Sequence, residues 1–136
     1  MIQRIQSIWL LLASAFAFLT MKFPFYFIGT NPSLATDQFN ATTNMFLLIL
    51  TAILATLCLF TIFVFKQRKL QLWLTILAIV ISICNILLYF NFKKQYSGGG
   101  LALTSVFAFA IPLFLFFAAR GIYRDQKLVR SMDRLR

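Results

Sequence analysis

Four long apolar runs alternate with short polar connectors along the chain: Ile5 to Met21, Met45 to Phe65, Leu72 to Phe92 and Leu101 to Ala119. Each is about 17 to 21 residues long, enough at about 1.5 Å per residue to cross a hydrocarbon core about 30 Å thick. No run alternates with a period of two, so a barrel is not expected, and backbone groups in lipid must then be satisfied within helices. The pattern predicts one all-α domain over 1–136: a polytopic membrane protein, an antiparallel four-helix transmembrane bundle with a basic amphipathic C-terminal helix over 120–136. The first run contains Ala13-Ser14-Ala15, which resembles a cleavage site. Apolar residues continue beyond it to Met21, so the run is read as a retained span.

Within the runs, small and polar side chains recur at steps of three and four, which places them on one helical face. The third run carries the strongest stripe: Thr75, Ala78, Ser82, Asn85 and Tyr89. Weaker seams pass through Gln3, Ser7, Leu10, Ser14 and Ala17, through Thr51, Ala55 and Cys58, and through Ser105, Ala108 and Pro112. Small faces let helices approach closely, and polar side chains hydrogen-bond across the contact. Asn85 is the one mid-membrane amide, and leaving it unpaired would cost roughly 1–3 kcal/mol. Thr75, Ser82, Asn85 and Tyr89 are therefore expected to form an interhelical polar stripe. Pro112 removes a hydrogen bond to the carbonyl of Ala108 and is expected to bend the fourth helix.

The connectors differ in length. Lys66 to Gln71 predicts a tight turn and an antiparallel hairpin of the second and third helices. Lys93 to Gly100 ends in Gly98-Gly99-Gly100, read as a flexible stretch because the Lys-Ser/Thr pair of a phosphate cradle is missing. The connector 22–44 opens on Phe23-Pro24-Phe25-Tyr26-Phe27-Ile28, which predicts an interfacial ledge or a short strand.

Composition agrees with a bilayer: 61% of residues are hydrophobic and 12% charged, and the net charge is +10. Ten of the thirteen basic residues fall on one side of a four-span layout: Arg4, Lys66, Arg68, Lys69, and six from Arg120 to Arg136. Lys22, Lys93 and Lys94 fall on the other, so the positive-inside bias predicts a multi-pass protein of the inner membrane with both termini cytoplasmic. Trp73 at the cytoplasmic boundary and Tyr26, Tyr89 and Tyr96 at the outer one suit interfacial rings.

The chain has no His, and its three acidic residues, Asp37, Asp125 and Asp133, lie outside the runs. No catalytic group, metal site or cofactor is expected, and ion-coupled transport is disfavoured because such carriers place ionisable groups at membrane depth. Cys58 and Cys84 sit at different depths and are read as buried free thiols.

After Ala119 the sequence is RGIYRDQKLVRSMDRLR. At about 100° per residue, Leu128, Val129, Met132 and Leu135 fall on one side, with Arg120, Arg124, Lys127 and Arg134 nearly opposite. Lys66, Arg68, Lys69, Arg120, Arg124, Lys127, Arg130 and Arg134 are the candidate contacts for anionic lipid of the cytoplasmic leaflet or for a membrane-protein partner, which includes a second copy of the chain. Basic charge alone does not indicate nucleic acid, and none is expected.

The opening Met1-Ile2-Gln3-Arg4-Ile5-Gln6-Ser7, the turn Arg68-Lys69-Leu70-Gln71 and the ending from Asp125 to Arg136 resemble the small integral membrane family known as domain of unknown function 4293, of Bacteroidota-type bacteria. The resemblance implies four helices in a bacterial inner membrane, and fixed positions for Lys127, Asp133 and Arg134 that suit a shaped docking surface. It implies no activity or ligand.

Two functional expectations follow. The first is a non-enzymatic accessory or assembly subunit that docks a partner through its basic surface. The second is an oligomeric channel or carrier for a small uncharged or anionic solute, lined by Ser82, Asn85 and Tyr89. The orientation is checked by reporter fusions: a reporter active only in the cytoplasm should work after Arg136 and fail after Lys94, and the opposite result would reverse the topology.

Overall fold

The protein is a bundle of four membrane-length helices: α1 (Ile2–Lys22), α2 (Met45–Phe63), α3 (Arg68–Lys93) and α4 (Val106–Asp133). The computed structural model describes residues 2–28, 38–94 and 99–133, with side chains over 5–27, 39–94 and 100–131. Each helix packs on two neighbours in the cyclic order α1, α2, α3, α4, and α4 closes the ring on α1. That closing pair is antiparallel, since Gln6 meets Asp125 while Phe16 packs on Phe107.

The central core is built from Leu10, Ala13 and Ala17 of α1, Leu54, Ala55 and Cys58 of α2, Ala78 of α3, and Ile111, Leu115 and Ala118 of α4. Steps of three and four along each helix make a left-handed seam, and the alanines let the backbones approach. On α3 the buried side is Gln71, Thr75, Ala78, Ser82, Asn85 and Tyr89, so the stripe read from the sequence faces inward. On α4 the seam is shifted by one residue from the expected one. Ser105 and Ala108 are buried, but Ile111 follows them rather than the half-buried Pro112. The alanines of α1 leave room at this contact that Ile111 and Leu115 fill. In α1, Leu10, Ser14 and Ala17 of the expected seam are buried, but at its start Gln6 is buried rather than the half-buried Ser7, and the side chain of Gln3 lies outside the described residues.

Several boundaries differ from the expectation. Arg68 to Gln71 form the first turn of α3, which leaves only 64–67 as the reversal. The segment after Ala119 is no separate tail, because α4 runs unbroken through Pro112 to Asp133. Both cysteines are free thiols, but Cys84 points outward. An α3 position between the inward Ser82 and Asn85 faces lipid.

A small antiparallel sheet closes the end away from the basic turn: β1 (Tyr26–Ile28) lies between β2 (Gln38–Phe39) and β3 (Gly99–Leu101). The short strand expected after Pro24 is present. The glycine stretch is not free chain over Gly99 and Gly100, which pair with Ile28 and Phe27; Gly98 and Tyr96 lie outside the described residues. Phe25 donates its N–H to the Phe39 carbonyl (2.9 Å) and accepts from Ala102 (3.1 Å), and the Thr104 hydroxyl bonds the Pro24 carbonyl. Under the sheet, Tyr89 is stacked on Phe25 at 4.2 Å and met edge-on by Phe39 at 6.1 Å. Tyr26 and Tyr89 are thus enclosed in an aromatic plug rather than spread at the interface, and Lys93 Nζ lies 5.0 Å above the Tyr26 ring, a cation–π contact.

Asn85 Nδ2 donates to Thr51 Oγ1 at 2.9 Å, and Thr51 Oγ1 donates in turn to the Leu47 carbonyl at 2.6 Å. Asn85 Oδ1 is buried without a partner. Thr51→Val orphans the whole amide and should cost about 1–3 kcal/mol, whereas Asn85→Leu removes the orphan and should change stability by less than about 1 kcal/mol. Reversible unfolding in mixed micelles measures both, and the reverse order would refute this reading of the bond.

Candidate binding site at the basic end of the bundle

The end opposite the plug gathers the start of α1, the α2–α3 reversal and the last turns of α4. With 28 residues, α4 is about 42 Å long, so its last turns reach past a hydrocarbon core of about 30 Å. These turns remain packed on the bundle. Ile122 and Asp125 continue the inward seam of Ile111, Leu115 and Ala118, while Leu128 and Val129 face outward.

Asp125 is the residue whose place the charge pattern hid. Only 7% of it is exposed, and its Oδ2 accepts a hydrogen bond from Gln6 Nε2 at 2.7 Å. Arg68 Nη1 donates to the backbone carbonyl of Asp125 at 3.4 Å. Gln71 Nε2 donates to the carbonyl of Thr61 at 3.3 Å, one of the last carbonyls of α2, which no helical N–H reaches. Side chains from α1 and α3 thus tie α4 and α2 at one level. Gly121 makes room for this, since a Cβ there would stand 2.8 Å from Gln6 Cγ.

Two grooves flank the polar layer. Between the α2–α3 reversal and α4 lies an open groove of about 610 Å³ lined by Lys66, Gln67, Arg68, Lys69, Leu70, Gln126, Val129 and Arg130. Four of its eight lining residues are cationic and none is acidic. Between α1 and α4 lies a second groove of about 450 Å³, with Ile5, Trp9, Phe117 and Leu128 as apolar walls and Arg120 and Arg124 beside Gln6, Gly121 and Asp125. The eight cations singled out from the sequence therefore separate: Lys66, Arg68, Lys69 and Arg130 share one groove, and Arg120 and Arg124 the other. Lys127 is exposed and lines neither, and Arg134 lies outside the described residues. Among the described residues, the side chains of Lys66, Lys69, Arg120, Arg124 and Arg130 make no hydrogen bond or ion pair.

The stripe on α3 is packed rather than hollow. The hydroxyls of Thr75 and Ser82 donate to carbonyls of their own helix, Gln71 (2.8 Å) and Ile79 (2.7 Å). The void beside Asn85 and Tyr89 is about 10 Å³, no larger than one water needs. The Tyr89 hydroxyl is buried and has no hydrogen-bond partner among the described residues.

Gln6→Leu leaves the Asp125 carboxylate buried without its donor and should cost at least about 1–3 kcal/mol, while the double variant Gln6→Leu with Asp125→Leu should recover most of that loss. A double-mutant cycle on thermal stability in detergent measures the coupling, and additive losses would contradict the bond.

No curated protein and no solved structure matches the chain. The model of the family described as Domain of unknown function (DUF4293) matches residues 2–135, almost the whole length. The four membrane-length helices agree with what the sequence resemblance implies, and the chain belongs to that family.

Proposed function

We propose that this protein is a non-enzymatic accessory or assembly subunit of the inner membrane, with its basic end in the cytoplasm, where it docks an acidic segment of a partner protein. The observation that carries the reading is the groove in which Lys66, Arg68, Lys69 and Arg130 converge from two distant parts of the chain. Arg68 has one guanidinium N–H on the Asp125 carbonyl, while the side chains of Lys66, Lys69 and Arg130 have no partner among the described residues. Leu70 and Val129, both exposed, add an apolar contact between the charges. Complementary charge of this kind steers encounter and selects the register of a partner.

A solute pathway along Ser82, Asn85 and Tyr89 is the competing reading. It has less support, because within one copy the stripe is filled and bounded by the aromatic plug.

Photocrosslinking in native membranes, from probes replacing Gln67 and Gln126 on the two walls of the groove, should yield the same adduct from both positions. A probe at Leu103, near the plug, should not give that adduct. Lys66→Gln, Lys69→Gln and Arg130→Gln together should reduce the yield about tenfold with insertion unchanged, given contributions of about 1 kcal/mol or less per exposed charge pair. Equal yield from the triple variant would overturn the proposal.

A further inference from the structure

We infer that the groove between α1 and α4 is a binding site for one anionic phospholipid, its phosphodiester held by Arg120 and Arg124 and its acyl chain lying along Trp9 and Phe117. The two arginines are four residues apart, hence neighbours on one helix face, and among the described residues neither has a partner. A guanidinium is suited to a phosphate because its fork of donors meets two oxygens at once. Toward the bundle centre the groove becomes apolar. Trp9 stacks on Phe114 at 5.6 Å and lies 5.2 Å from Phe117, forming a wall of rings where an acyl chain would run.

The order of chemistry along the groove is that of a phospholipid at the membrane boundary. Arg120 and Arg124 fall one and two turns beyond Phe117, about 4.5 and 10 Å further along α4. A soluble anion would use the arginines and leave the ring wall bare. A protein segment would have to enter beside Phe117, an exposed ring within the apolar run of α4. Asp125 also lines this groove and would repel an anion, but it is mostly buried and its Oδ2 is bonded to Gln6. Two arginines with no acidic partner favour a headgroup of net negative charge over a zwitterion.

The inference rests on the reading that the basic end faces the anionic leaflet, but its test needs neither that orientation nor a protein partner. The chain has two tryptophans, and Trp73 is 72% exposed on α3, away from this groove. Trp73→Phe therefore leaves Trp9 as the only reporter. In nanodiscs mixing phosphatidylglycerol with phosphatidylcholine, Trp9 fluorescence should be quenched preferentially when the brominated acyl chains are on phosphatidylglycerol, with a relative affinity of about tenfold. Arg120→Gln with Arg124→Gln should abolish the preference, and the Arg→Lys pair should retain most of it. The Trp9→Phe protein, which reports from Trp73, should show none. Equal quenching by the two lipids would overturn the inference, as would a preference surviving the Gln pair. Loss of the preference on adding millimolar inorganic phosphate would identify a site for a free anion instead. Because the Gln pair leaves Lys66, Lys69 and Arg130 intact, failure here and failure of partner docking are separately visible.

Discussion

Inside a bilayer no water completes the hydrogen bonds of a polar side chain, and this bundle contains many polar side chains at its helix contacts. Most are satisfied locally. The hydroxyls of Ser14, Thr20, Thr51, Thr61, Thr75 and Ser82 all donate to carbonyls three or four residues earlier in their own helices. A hydroxyl bonded in this way behaves at the contact as a small, nearly apolar group, so these residues, apart from Thr51, which also accepts from Asn85, act with the alanines to allow close approach rather than to join helices. Longer polar side chains make the joints. Asn85 reaches Thr51 in the half of the bundle toward the plug, and Gln6, Arg68 and Gln71 reach across helices at the basic end.

That division gives the two ends different characters. The plug end is closed by apolar and aromatic packing, with Phe25 and Phe39 on Tyr89, and by backbone bonds within a three-stranded sheet. The basic end is closed by a thin layer of amides, one carboxylate and one guanidinium, and uncommitted cations stand outside it. A surface of this kind is fit for binding, because its charges are held on packed helices and the reversal between them, and most of their side chains have no partner among the described residues.

The α3 face was legible because polar residues among Ile, Leu and Val mark a helix side clearly; Ser82 and Asn85 have few competing registers. The α4 seam was less so, since a run of Ala and Phe fits several faces and only packing against Ala13 and Ala17 selects Ile111. Asp125 went unrecognised because an acid among arginines reads as solvated charge. Its spacing of three, seven, ten and fourteen residues from Ile122, Ala118, Leu115 and Ile111 carried the signal, had the heptad been extended past Ala119. The sheet was only half legible: nothing in local periodicity says that Gly99 to Leu101 pairs with Tyr26 to Ile28, a contact between segments far apart in sequence. Lys66, Lys69 and Arg130 stand among the cations marked in the sequence, but neither their meeting in one groove nor their separation from Arg120 and Arg124 is legible without the positions of the helices.

The central claim is that the last turns of α4 belong to the bundle, fixed by Ile122 and Asp125, and that both basic grooves depend on this. Hydrogen–deuterium exchange of the intact protein in nanodiscs tests it at the amides from Ala118 to Arg130. The account predicts protection there of at least about a hundredfold over an unstructured chain, continuous with the span and reduced by Gln6→Leu. Exchange at the rate of a free peptide beyond Arg120 would contradict it.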